Sequence, residues 1–110
     1  VDTRPEIRSG NIFIRRNPLP KVGDKVDGHT HNFDHTTIVF LGSVRVRATR
    51  PDGKIREQVF EAPSHFLVYR DVEHEITALE DNTLFWCVYS HRDPQGRVVQ
   101  EWDGWNEAYQ

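Results

Sequence analysis

A single cysteine, Cys87, in 110 residues rules out an intrachain disulfide framework, so the chain does not read as a stapled secreted module. It sits in the apolar run TLFWCVY, where a buried, inert thiol is expected. No stretch approaches the ~20 apolar residues that a bilayer-crossing helix needs. The N-terminal VDTRPEIRSGN is polar and has no signal-peptide h-region, and the expectation is a cytoplasmic protein with no membrane partner. Charge of one sign is missing too. Fourteen basic against seventeen acidic residues give −3, without the basic footprint of a nucleic-acid binder. Arg15–Arg16 and the alternating Arg45 and Arg47 are too sparse to supply one. There is no G-x-S-x-G nucleophile, no P-loop and no dinucleotide fingerprint. A long helical pattern, an internal repeat and a linker are likewise absent.

What is present is alternation with period two, in a chain long enough to bury one core. NIFIRR (11–16) reads as a strand ended by NPLP, whose prolines cannot donate to a ladder. HTTIVFLG, SVRVRAT, IREQVFE, HFLVY, HEITAL and TLFWCVYS follow as short strands. RPDGK is a turn signal, because proline fixes φ and glycine tolerates positive φ. Many short strands with tight turns predict a single all-β domain, a sandwich or barrel. In the tail, Trp102, Trp105 and Tyr109 recur at helical spacing and predict an aromatic segment packed on the barrel or across a dimer interface.

Three of the six histidines fall within GHTHNFDH, residues 28–35. On a strand, His29 and His31 would point to one face, as two ligands of one metal must. His35 opens the next strand, and His74 heads HEITAL some forty residues later. Strand-end residues can meet inside a small barrel, and clustered histidines are the usual metal ligands. Asp34 is the alternative to His35 as a ligand. Glu73 and Glu75 flank His74 and would aim away from it. His65 and His91 belong to no spaced motif and read as structural or surface residues.

These residues resemble the cupin family over roughly Gly23 to Ser90. The family's first motif runs glycine, five residues, His-x-His, three residues, glutamate, six residues, glycine. Here GDKVDGHTHNFDHTTIVFLG keeps every interval from Gly23 to Gly42, with His35 where glutamate is usual. In the second motif, PSHFLVYRDVEHEITA keeps the intervals and His74. Pro63, Tyr69, Asp71 and Ala78 replace the customary glycine, proline, glycine and asparagine, which leaves the loop before His74 unspecified.

The resemblance implies a jelly-roll β-barrel (a double-stranded β-helix), often homodimeric, that holds one divalent metal through His29, His31, His35 and His74. Iron, manganese, copper, nickel and zinc all suit imidazole, with iron placed first. Four neutral ligands leave the full +2 charge at the site, which favours anionic or enolate-like substrates. The expected function is a metal-dependent enzyme on a small oxygenated molecule, a non-haem oxygenase first. A redox-neutral isomerase or lyase and a non-catalytic binding module are the alternatives. A closed tetrahedral zinc site also stays open. If His35 and His74 point inward, Thr37, Val39, Ile76 and Ala78 share their faces. Tyr69, Trp86, Tyr89 and His91 are the candidates for substrate contact or proton relay.

Overall fold

The period-two pattern folds into antiparallel strands throughout residues 4–98, the part of the chain that the computed structural model describes. They are β1 (Glu6–Ser9), β2 (Ile12–Leu19), β3 (Lys25–His29), β4 (His35–Leu41), β5 (Ser43–Thr49), β6 (Ile55–Glu61), β7 (Ser64–Val68), β8 (Glu73–Ala78) and β9 (Thr83–Ser90). Trp102, Trp105 and Tyr109 lie outside the described residues, as does the side chain of His29. Among the described residues no helix is long and apolar enough to cross a membrane.

Two sheets result, β1-β2-β9-β4-β7 and β3-β8-β5-β6. Their inner faces meet in one core. Leu19, Val39, Phe66, Val68 and Phe85 come from the first sheet, and Val44, Val46, Ile76 and Ala78 from the second. Each such side chain contributes roughly 1.5–3 kcal/mol when it leaves water. SVRVRAT shows the alternation most clearly, with Val44 and Val46 buried and Arg45 and Arg47 exposed. The RPDGK turn forms as its residues require: Gly53 has φ +86°, and Asp52 Oδ1 accepts from the Lys54 amide at 3.0 Å.

Two strand assignments need correction. β2 does not stop at Arg16 but continues through Asn17, Pro18 and Leu19 along β9. Arg16 N donates to Pro5 O on the β1 side, so by alternation the missing Pro18 donor faces the same side, beyond the end of β1. The ladder therefore loses nothing. β3 is the second case. It ends at His29, after a register irregularity against β8 between Val26 and His29, so His31 is not a strand residue.

The first-motif glycine Gly42 links β4 to β5 at φ +75°, and a Cβ there would collide with the Thr83 side chain. Only glycine meets both conditions. The two strands that carry His35 and His74 are held on opposite sheets across the core.

Candidate metal centre

His35 is the first residue of β4 and is buried, at 7 % exposure. Thr37 and Val39 share its face and are fully enclosed, as alternation requires. His74 on β8 is similarly buried, with Ile76 and Ala78 behind it on the same face. In the β3–β8 register the backbone of His29 stands opposite His74. The ladder thus brings two of the four histidines together from strands 45 residues apart in sequence.

His31 reaches the same place by a different route. The turn after β3 carries it, and two backbone contacts tie that turn to the loop before His74. Asp71 N donates to His31 O at 2.8 Å, and Arg70 N donates to Asp34 Oδ1 at 2.7 Å. Asp34 is therefore an anchor between the two motif loops, occupied by an amide rather than aimed as a ligand. Asp71 has φ +62° at the place of the motif glycine. Aspartate is one of the few side chains that enters the left-handed region readily. The turn shape that leads into His74 survives although its glycine does not.

A cavity of about 330 Å³ lies between the sheets, and His31, His35 and His74 all line it. The His31 and His35 rings stand 5.2 Å apart, edge to face. His74 Nδ1 lies 2.8 Å from Val72 O. A carbonyl oxygen only accepts, so this contact puts hydrogen on Nδ1, and in the neutral imidazole the lone pair is then on Nε2. That is the tautomer and second contact typical of a metal-bound histidine. The donor set fits a divalent transition metal in its chemistry. Among the described residues, which leave out the His29 side chain, no three His, Cys, Asp or Glu side chains are gathered closely enough to hold an ion.

The remaining lining is mostly apolar and aromatic, with Glu6, Arg15 and Asn17 as its polar members. Val26, Val68, Ile76 and Phe85 form the walls, with Phe13 and Tyr89 toward the opening. Tyr89 stacks on Phe13 at 4.9 Å and stands 4.8 Å from Phe33 and 5.8 Å from His35. Burial pushes the Tyr89 phenol pKa up, so its Oη keeps its proton at neutral pH. Burial also raises the Cys87 thiol, against the weaker opposing hydrogen bond from Thr37, which agrees with an inert cysteine.

The other candidates separate by strand parity. Tyr89 faces the cavity, and His91 lines the outer mouth beside His31 and Tyr89. Trp86 falls on the opposite face of β9, 4.7 Å from Phe40 and 5.3 Å from the Arg16 guanidinium, away from the histidines. Tyr69 is 59 % exposed and edges a different cleft. His65 is exposed on β7. Glu73 is exposed, and Glu75 pairs with Lys25 at 3.8 Å on the outer side. Sequence reasoning passed over Phe33 and Phe13. Aromatics bordering a histidine cluster were the available signal.

No protein-family model matches the chain, and no curated protein matches it in sequence. Solved structures do. The oxalate decarboxylase of Lactobacillus farciminis, in a formate complex, superposes with a TM-score of 0.66 at 23% identity. That match covers 76% of this chain and 24% of the other. A mutant of Bacillus subtilis oxalate decarboxylase gives a TM-score of 0.67 at 22% identity, over 83% of this chain and 23% of that one. The chain has the jelly-roll fold of these structures, the cupin fold. The chain spans about a quarter of the length of the solved structures it matches. The likeness establishes its architecture, and the chemistry must be argued from its own residues.

Proposed function

We propose that this cupin binds one divalent transition metal through His29, His31, His35 and His74 and acts on a small oxygenated organic molecule, as a non-haem oxygenase. The observation that carries this reading is His74: its Nδ1 is committed to Val72 O, and it lines one cavity with His31 and His35. A bound metal with four neutral ligands would supply a centre of charge +2 that polarises a chelating oxygen or, if redox-active, activates dioxygen.

The chain's own residues supply the rest. The backbone contact at Val72 holds the His74 imidazole in one orientation and one tautomer. Val68, Ile76 and Phe85 keep water from the inner side of the cavity, which strengthens electrostatic interactions within it. Tyr89 Oη keeps a proton available at the opening, and Phe13 and Phe33 hold its ring in place. The Cys87 thiol stays protonated and takes no part.

A second reading, a redox-neutral lyase, is favoured by one finding: the solved structures of the same fold are decarboxylases. An oxygen electrode separates the two. Iron-loaded protein supplied with a panel of small oxygenated acids should consume dioxygen in proportion to acid consumed. Turnover by proton NMR without dioxygen uptake, in zinc-loaded protein as well, would replace the oxygenase with the lyase.

A further inference from the structure

A second cavity, of about 450 Å³, opens between β6 and β7, on the far side of His74 from His31 and His35. Its place follows from the ladder. His74 pairs with Ala48, and Ala48 pairs with Arg56, so the three form a row across β8, β5 and β6. Alternation fixes the face of that row. Phe60 on β6 turns inward and stacks on Phe66 at 4.4 Å, so Gln58 and Arg56 share its face. Two inter-strand spacings, ~9.5 Å in all, separate His74 from Arg56. Ala48, whose side chain is a single methyl, stands between them in that row.

We infer that this cleft is a binding site for an organic monocarboxylate with an apolar or aromatic body, its carboxylate on Arg56 and its body on Phe60 and Phe66. The inference deepens the metal reading, on which it rests only in taking His74 as the end where the reacting oxygen would lie. Size agrees, because small-molecule sites run from about 300 to 1,000 Å³. Charge agrees as well. Arg50 and Arg56 are the cations lining the cleft, and Arg50 is partly spent on Asp52 at 4.0 Å. Glu57 is the one acidic residue among those lining the cleft; it pairs in register with Arg47, and by alternation its side chain leaves β6 on the opposite face from Arg56, so two cations stand against one carboxylate there. Arg56 makes no ion pair among the described residues. An arginine fork matches a carboxylate with two parallel hydrogen bonds.

The outer mouth beside His31 is the competing place for an anion, and its two arginines are already engaged: the Arg8 guanidinium lies 5.6 Å over the Phe13 ring. Arg92 Nη1 donates to Gly96 O at 2.9 Å, and its guanidinium lies 4.8 Å over Phe33. Glu6 and Asp93 also line that mouth and would repel an anion. The cleft on the Arg56 side has the larger apolar floor and the uncommitted fork.

The test uses phenylacetate and its neutral isostere phenylacetamide, titrated calorimetrically into the full chain freed of metal. Phenylacetate should bind at least tenfold tighter than the amide. Arg56→Ala should weaken phenylacetate by tenfold or more and leave the amide unchanged, whereas Arg92→Ala should leave phenylacetate unchanged. Arg56→Lys should restore part of the loss, because it returns the charge without the fork. Arg56 is exposed on an edge strand, and thermal unfolding of each variant checks that the fold is intact. Equal binding of acid and amide, no binding of phenylacetate, or a loss in Arg92→Ala instead of Arg56→Ala would overturn the assignment. Metal-free protein keeps the two readings apart. Failure of phenylacetate to bind leaves the metal site standing, and failure to bind metal leaves the carboxylate site standing.

Discussion

Replacing His35 with leucine should split two quantities that a purely structural histidine would move together. His35 is 7 % exposed, 5.2 Å from the His31 ring and 5.8 Å from the Tyr89 ring. Leucine has similar bulk and no polar atoms to desolvate. Exchanging a buried polar group for an apolar one of matched shape is close to neutral, and volume-conserving core changes usually cost below ~1.5 kcal/mol. The metal-free His35→Leu protein should therefore unfold within a few degrees of the unchanged metal-free chain, and not far below it. The metal-bound state behaves differently. At a metal concentration of about 100 Kd, binding stabilises by ~2.7 kcal/mol. For a domain of this size that raises Tm by roughly 10–20 °C. Loss of one ligand that weakens affinity a hundredfold leaves ~0.4 kcal/mol at the same concentration, and a rise of only about 2–3 °C. Scanning calorimetry on both proteins, with and without the metal, reads all four values. A His35→Leu protein that keeps the full metal-induced rise would show that residue 35 is not a ligand. One that melts far lower without metal would show that the imidazole is needed by the fold itself.

Three further outcomes are expected. Phe85→Ala removes a fully enclosed ring at the centre of the inter-sheet core and should cost ~3–5 kcal/mol by urea denaturation; a cost under ~1 kcal/mol would mean that the sheets do not pack as described. Asp71→Gly should be neutral or stabilising by up to ~1 kcal/mol, because φ is +62°, whereas Asp71→Val should destabilise by more than that; the reverse order would remove the left-handed turn from the account. Cys87 and Tyr89 both have folded-state pKa values raised by burial, so the stability they contribute is complete below the unfolded thiol value of 9.0 and declines as pH rises above it. Urea midpoints from pH 7 to 10.5 should fall above pH 9, and less steeply in Cys87→Ala; a flat profile would contradict the burial of the thiol.

The strands carrying the core were legible wherever a run had three or more apolar or β-branched residues in alternation. β4, β5, β8 and β9 are of that kind, and Thr37, Val39, Ile76 and Ala78 take the faces that alternation assigns them. β1 and β3 were not legible. EIRS and KVDGH hold one apolar residue each, and edge pairing to β2 and to β8 makes them strands. The extent of β2 was hidden by Pro18, because the sequence does not reveal on which side a donor is dispensable. Interval counting located His35 and His74. The arrival of His31 through a turn, and the role of Asp34 as an anchor, depend on contacts between loops 36 residues apart. Arg56 had no signal of its own. Its row with Ala48 and His74 exists only in the register of three strands. The tail aromatics, expected to pack on the barrel or between protomers, lie outside the described residues.

The most direct measurement is metal content per chain under dilute chelator, for the unchanged protein and for His29→Ala and His74→Ala. Elemental analysis should find one divalent transition metal per unchanged chain. Each variant should lose most of it while keeping its β-sheet circular dichroism. Full occupancy retained in both variants would place the metal elsewhere and contradict the four-histidine site.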